Sequence, residues 1–138
     1  MRLLLDTCVI IDWLTDTDPF DRYVWDILND PQTKLYVSAE TARELIVSFN
    51  NKKLLSKYWK SAEEMLLAMK EEAMVDILPL TERTMFAYSR LTLNEAEDHR
   101  DPSDHVIIAH AITERLTLLS SDQKFAFYRS QGLDLLEY

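Results

Sequence analysis

The chain has 138 residues, 47% of them apolar and 28% charged, with one glycine and four prolines. That composition excludes a disordered segment and leaves little turn material for a sandwich or barrel. A formal net charge of −9 counts against a general nucleic-acid binder, which presents a basic face.

In chain order, Arg2–Asp6 is a short apolar run that reads as a strand. Asp6 and Asp12 interrupt it too soon for a secretory leader. The single cysteine, Cys8, excludes an internal disulfide and is expected as a small buried hydrophobe in a reducing compartment. Phe20–Leu28 follows Pro19, a residue suited to a helix start, and its stripe of Phe20, Tyr23, Val24, Ile27 and Leu28 is expected in the core. Lys34–Ser38 reads as a second strand. Ala39–Lys53 follows with Ser38 as N-cap and Ala42, Leu45, Ile46 and Phe49 on one face.

Ser56–Glu72 is a longer amphipathic helix, Val75–Leu80 a third strand, and Thr81–Leu91 a helix with Met85, Tyr88 and Leu91 on its apolar side. Pro102–Arg115 opens with Asp101 as cap and Pro102 in first position, and the apolar Val106–Ile112 makes it the most buried helix. Thr117–Ser120 and Leu133–Leu136 complete about five strands. Strands alternating with helices predict one α/β domain over residues 1–138, with a parallel sheet flanked by helices. No stretch approaches the roughly 18 apolar residues of a membrane span, and a cytoplasmic protein is expected.

Ligands gather at the carboxyl ends of parallel strands. Asp6 closes the first strand and Asp122 follows the fourth, while Asp104 lies in the first turn of the buried helix and Glu44 in the helix after the second strand. Each acid alone could be a turn former, a cap or a solvated charge. Together at one sheet edge they would repel one another unless a cation sat among them, and hard oxygen ligands suit Mg²⁺ or Mn²⁺. The histidines are not read as a rival site: His105 and His110 are five apart, and His99 lies in an acidic loop. No Gly-x-Ser-x-Gly elbow, Walker loop or dinucleotide fingerprint is present. From Arg43 to Lys60 the local balance is +4, leaving −13 elsewhere, so Arg43, Lys52, Lys53 and Lys57 are candidate contacts to a polyanion.

At Leu4-Leu5-Asp6-Thr7, Val37-Ser38-Ala39 with Glu44-Leu45, His99-Arg100-Asp101-Pro102-Ser103-Asp104, Ile108-Ala109-His110-Ala111 and Leu118-Leu119-Ser120-Ser121-Asp122, the chain resembles the PIN-domain ribonucleases, in particular VapC-type toxins of type II toxin–antitoxin pairs. The resemblance spans essentially the whole chain. It implies a three-layer PIN-like fold and a metal-dependent endoribonuclease with one or two Mg²⁺ ions on Asp6, Glu44, Asp104 and Asp122. It further implies supporting hydroxyls at Thr7 and Ser120, a cap or structural role for Asp101, a homodimer, and a VapB-like antitoxin. Ser103 and His105 depart from the family pattern, which often has a large apolar residue and an Arg or Lys there. Two other readings stay open: a metal-dependent phosphatase on a small phosphoester, and a catalytically silent PIN-like module that binds a partner protein.

Overall fold

The computed structural model describes residues 1–15, 20–51 and 54–138. Five strands, β1 (Arg2–Leu5), β2 (Lys34–Ser38), β3 (Val75–Leu78), β4 (Thr117–Ser120) and β5 (Asp134–Glu137), form one parallel sheet in the order β3-β2-β1-β4-β5. Among the described residues the α-helices are α1 (Thr7–Leu14), α2 (Arg22–Asn29), α3 (Ala39–Asn50), α4 (Ala62–Glu71), α5 (Glu82–Ser89) and α6 (Pro102–Glu114). Two 3₁₀ segments lie at Leu54–Lys57 and Gln123–Gln131.

The central strand shows why the architecture has three layers. Successive side chains on a strand point to opposite faces, and Leu3, Leu4 and Leu5 are all fully buried. Leu3 and Leu5 join Val9 and Ile10 of α1, Val24 of α2, Leu45 of α3 and Met65 and Met69 of α4. Leu4 joins Ile107, Ile108 and Ala111 of α6 with Phe125 and Tyr128 of the second 3₁₀ segment. Because β1 is covered on both faces, it needs apolar residues at consecutive positions. With β2 on one side of β1 and β4 on the other, the sheet has its switch point at the end of β1, where such folds open a crevice.

Several boundaries differ from the sequence reading. The chain after Asp6, to which the sequence reading assigns no element, is helical, and the stretch 123–131 forms a 3₁₀ segment. α2 starts at Arg22 because the Asp21 carboxylate accepts from Val24 N–H at 3.0 Å, and Pro19 lies outside the described residues. The long helix expected from Ser56 begins only at Ala62, where the Ser61 hydroxyl accepts from Glu64 N–H at 3.1 Å. In the α2 stripe, Phe20, Val24 and Leu28 are core, whereas Tyr23 is exposed. Met85 of α5 is also exposed, and Thr84, which closes a capping box with Thr81, is buried instead. Cys8 is exposed, not a buried hydrophobe, because α1 turns it away from the core that holds Val9 and Ile10. α6 is heavily buried, as its composition requires.

One bond set ties the start of α3 to the middle of α6. The Ser38 hydroxyl accepts from Glu40 N–H at 3.1 Å and is hydrogen-bonded to Nδ1 of His110 at 2.8 Å, and both residues are fully buried. Ser38→Ala should lower the unfolding free energy by about 1–3 kcal/mol in urea melts, since it removes a cap and orphans a buried ring nitrogen. A negligible change would show that packing and the Ser103 bonds to Glu40 and Arg43 hold α3 to α6 without this contact.

Candidate active site

The end of β1 delivers Asp6 directly to the N-terminus of α1. Its Oδ1 accepts from Thr7 N–H and its Oδ2 from the Ser120 hydroxyl, both at 2.8 Å, and the residue is almost completely buried. Thr7 continues the chain of bonds: its hydroxyl lies 3.0 Å from that of Thr41 and donates to Oε1 of Glu44 at 2.6 Å. Thus α3 presents Glu44 to the same place.

Asp122 follows β4 and caps the 3₁₀ segment, accepting from Lys124 N–H at 2.9 Å, while its own N–H donates to the Ser120 hydroxyl at 3.1 Å. Ser120 therefore orients the Asp6 carboxylate and fixes the Asp122 backbone. Asp104, in the first turn of α6, is held by Nε2 of His99 at 2.9 Å. Asp101 is exposed and caps α6 by accepting from Ser103 N–H at 2.9 Å.

Asp6, Glu44, Asp104 and Asp122 line one cleft of about 490 Å³, together with Thr7, Cys8, His99, Asp101, Arg100 and Lys124. Acids outnumber bases in it, and Arg100 is already paired with Asp98. The electrostatic consequence is severe for two carboxyls. Burial, then the neighbouring Asp104 and Asp122, hold Asp6 at about 6 against the opposing bonds from Ser120 and Thr7. Burial, followed by Asp101, Asp122 and Glu44, pushes Asp104 up to about 7. Glu44 is also raised, mainly by burial and in spite of the Thr7 bond. Desolvation and the surrounding carboxylates raise the Cys8 thiol to about 11, so it is a poor nucleophile despite its exposure.

A hard divalent cation fits this donor set, because the crowded carboxylates, which Lys124 offsets only in part, are relieved by an ion among them. Ligating atoms of His99, Asp104 and Asp122 lie within 4.8 Å of one another. Asp6 and Glu44 stand outside that trio and are coupled to each other through Thr7.

His99 is the residue that sequence reasoning set aside. The only signal for it was its place at the head of the motif that ends in Asp104. The candidate polyanion contacts fare differently. Arg43 is bonded to Glu40 and to the Ser103 hydroxyl at 3.0 Å yet remains more than half exposed. Lys57 is exposed in the first 3₁₀ segment. Lys52 and Lys53 lie outside the described residues.

The PIN-domain model matches residues 3–130, and the chain belongs to the PIN-domain family. No curated protein sequence matches it. Among solved structures it is similar to a chain of VapBC2 from Rickettsia felis bound to a promoter DNA fragment, with TM-score 0.75, 19% identity and coverage of 99% and 98% of the two chains. VapBC-1 from nontypeable Haemophilus influenzae gives 0.71 at 22% identity with the same coverage. VapBC-5 from Mycobacterium tuberculosis, a member of the VapBC family of toxin–antitoxin systems, gives 0.66 at 20% identity, again over 99% and 98%. At these identities the likeness establishes the fold.

The crowding predicts a measurable pH dependence. A raised carboxyl pKa means that the folded protein binds more protons than the unfolded chain between the ordinary carboxylate range and about pH 7, so this group costs stability as pH rises. The three buried histidines, all lowered by desolvation, act in the opposite sense. Asp104→Asn removes the carboxyl raised to about 7, relieves Asp6 of a neighbouring charge and keeps an acceptor oxygen for His99. In EDTA, the melting temperature of Asp104→Asn relative to wild type should climb by several degrees between pH 5 and pH 8. A difference that stays flat or shrinks with pH contradicts the crowding.

Proposed function

We propose that this protein is a metal-dependent endoribonuclease, the toxin of a VapBC-like toxin–antitoxin pair. The observation that carries the reading is the convergence of Asp6, Glu44, Asp104 and Asp122 on one cleft in a PIN-domain fold. These four residues would hold the metal, one or two Mg²⁺ ions with Mn²⁺ as a substitute. Bound there, the metal supplies an activated water and neutralises charge that develops on a phosphodiester.

The chain's own residues set up that chemistry. Ser120 and Thr7 hold the Asp6 and Glu44 carboxylates in fixed orientations, which reduces reorganisation on binding. Lys124 at the rim and the exposed Arg43 and Lys57 are proposed contacts to the RNA backbone, with Lys52 and Lys53 between the latter two in sequence. In a chain of net charge −9, such local bases and the bound cation would provide the attraction for a polyanion. A VapB-like antitoxin partner belongs to the same reading, supported by the toxin–antitoxin complexes to which the chain is similar, and a homodimer is part of the proposal. Among the described residues no helix is long and apolar enough to cross a membrane, in keeping with a cytoplasmic site of action.

Purified protein should cleave single-stranded RNA in Mg²⁺ or Mn²⁺ and lose that activity in EDTA. Asp6→Asn, Glu44→Gln, Asp104→Asn and Asp122→Asn should each reduce the rate by about a hundredfold or more. Cleavage that survives Asp6→Asn unchanged would refute the carboxylate assignment. Mn²⁺ binding without RNA cleavage, but with hydrolysis of a small phosphoester, would favour the phosphatase. Absence of Mn²⁺ binding at millimolar concentration would favour the silent module.

A further inference from the structure

Behind Asp104 lies a sequence of buried hydrogen bonds whose direction can be worked out. The Asn94 backbone N–H donates to the Tyr128 hydroxyl oxygen at 3.1 Å. That hydroxyl lies 3.0 Å from Nδ1 of His99, and the other ring nitrogen, Nε2, lies 2.9 Å from Oδ2 of Asp104. Tyr128 is fully buried and the His99 side chain nearly so.

A tyrosine hydroxyl has one proton to give. Its oxygen already accepts from Asn94, and His99 Nδ1 is the acceptor within reach of its proton. Nδ1 must then be bare, which places the ring proton on Nε2, directed at Asp104. The opposite tautomer would leave the Tyr128 proton without an acceptor inside the core, a costly arrangement. To act as a metal ligand, His99 would have to free Nε2 of its proton and create that orphan.

The ring is also immobilised from other sides. It stacks on Phe125 with centroids 5.4 Å apart, and the ring of His105 meets its edge at 4.7 Å. Nε2 of His105 donates to the His99 carbonyl at 2.9 Å, and the His99 N–H donates to the Asn94 carbonyl at 3.0 Å. The loop before α6 is thereby fastened at both ends of the segment from Asn94 to His99.

We propose that His99 is a positioning residue, locked as the Nε2–H tautomer by the Asn94–Tyr128 bond, which fixes the Asp104 carboxylate for the metal and is not itself a ligand. The inference rests on the metal-dependent reading of the cleft, but the tautomer can be measured without metal or RNA. Hydrogen bonds of this kind to a ligand's far side govern metal affinity as well as geometry.

The test combines two measurements on the full chain. Long-range ¹H–¹⁵N NMR of wild type should show His99 protonated at Nε2 in EDTA and unchanged with Mg²⁺, and the electron spin echo of bound Mn²⁺ should show no directly coordinated nitrogen. In Mn²⁺ titrations, His99→Gln, whose side-chain amide can still donate to Asp104, should stay within about threefold of wild type, while His99→Phe should bind about 10–100-fold more weakly. Tyr128→Phe removes the lock and should shift the His99 tautomer equilibrium towards a mixture. A Nδ1–H tautomer in wild type, a nitrogen bound to Mn²⁺, or equal weakening by Gln and Phe would overturn the proposal. Wild type that binds Mn²⁺ with the expected tautomer yet cuts no RNA would sink the nuclease reading and leave this assignment standing.

Discussion

The structure is organised around a repulsion. Parallel strands β1 and β4 end side by side, and the chain places an acid at each end, then brings two more in from α3 and α6. Four carboxylates facing one cleft is a costly arrangement in water-poor surroundings, and the cost appears as Asp6 and Asp104 held at about 6 and about 7. Ordinary folding would relieve it with a lysine or arginine. Here Lys124 lies at the rim and Arg100 is paired with Asp98, so the cleft keeps an excess of acids.

Much of the surrounding architecture can be understood as holding that repulsion in place. The three leucines of β1 anchor the strand from both faces, so packing places the Asp6 backbone and the Thr7 and Ser120 bonds orient its carboxylate. Ser120 bridges Asp6 and Asp122, and Thr7 joins α1 to Glu44 on α3. The Ser38–His110 bond holds α3 against α6, which sets the distance between the helices that carry Glu44 and Asp104. Neutral donors orient the carboxylates without neutralising them.

The sheet and four acids were legible because their signals are local. β2 and β4 have the boundaries that their apolar runs indicate, and Asp101-Pro102 marks the start of α6 as cap and first residue should. α1 was hidden because Val9, Ile10 and Ile11 prolong the apolar run of β1, and the capping role of Asp6 looks the same in sequence as a strand end. The exposure of Cys8 follows from that helix and was lost with it. The Ser56–Glu72 helix was drawn too long because amphipathic spacing continues across Ser61, where the cap decides the start. On α5, Thr84, bonded to the exposed N-cap Thr81, takes the buried position that Met85 was expected to hold. His99 was beyond reach for a different reason: its partners, Tyr128 and Asn94, are brought to it only by the tertiary fold.

The most direct test of the central claim is proton release on metal binding. Calorimetric Mn²⁺ titration at pH 6.5, repeated in buffers of different ionisation enthalpy, counts the protons displaced. With Asp6 near 6 and Asp104 near 7, binding should release about one proton at pH 6.5 and almost none at pH 8.5. Binding that releases no proton at the lower pH would contradict a cluster of crowded carboxylates awaiting a cation.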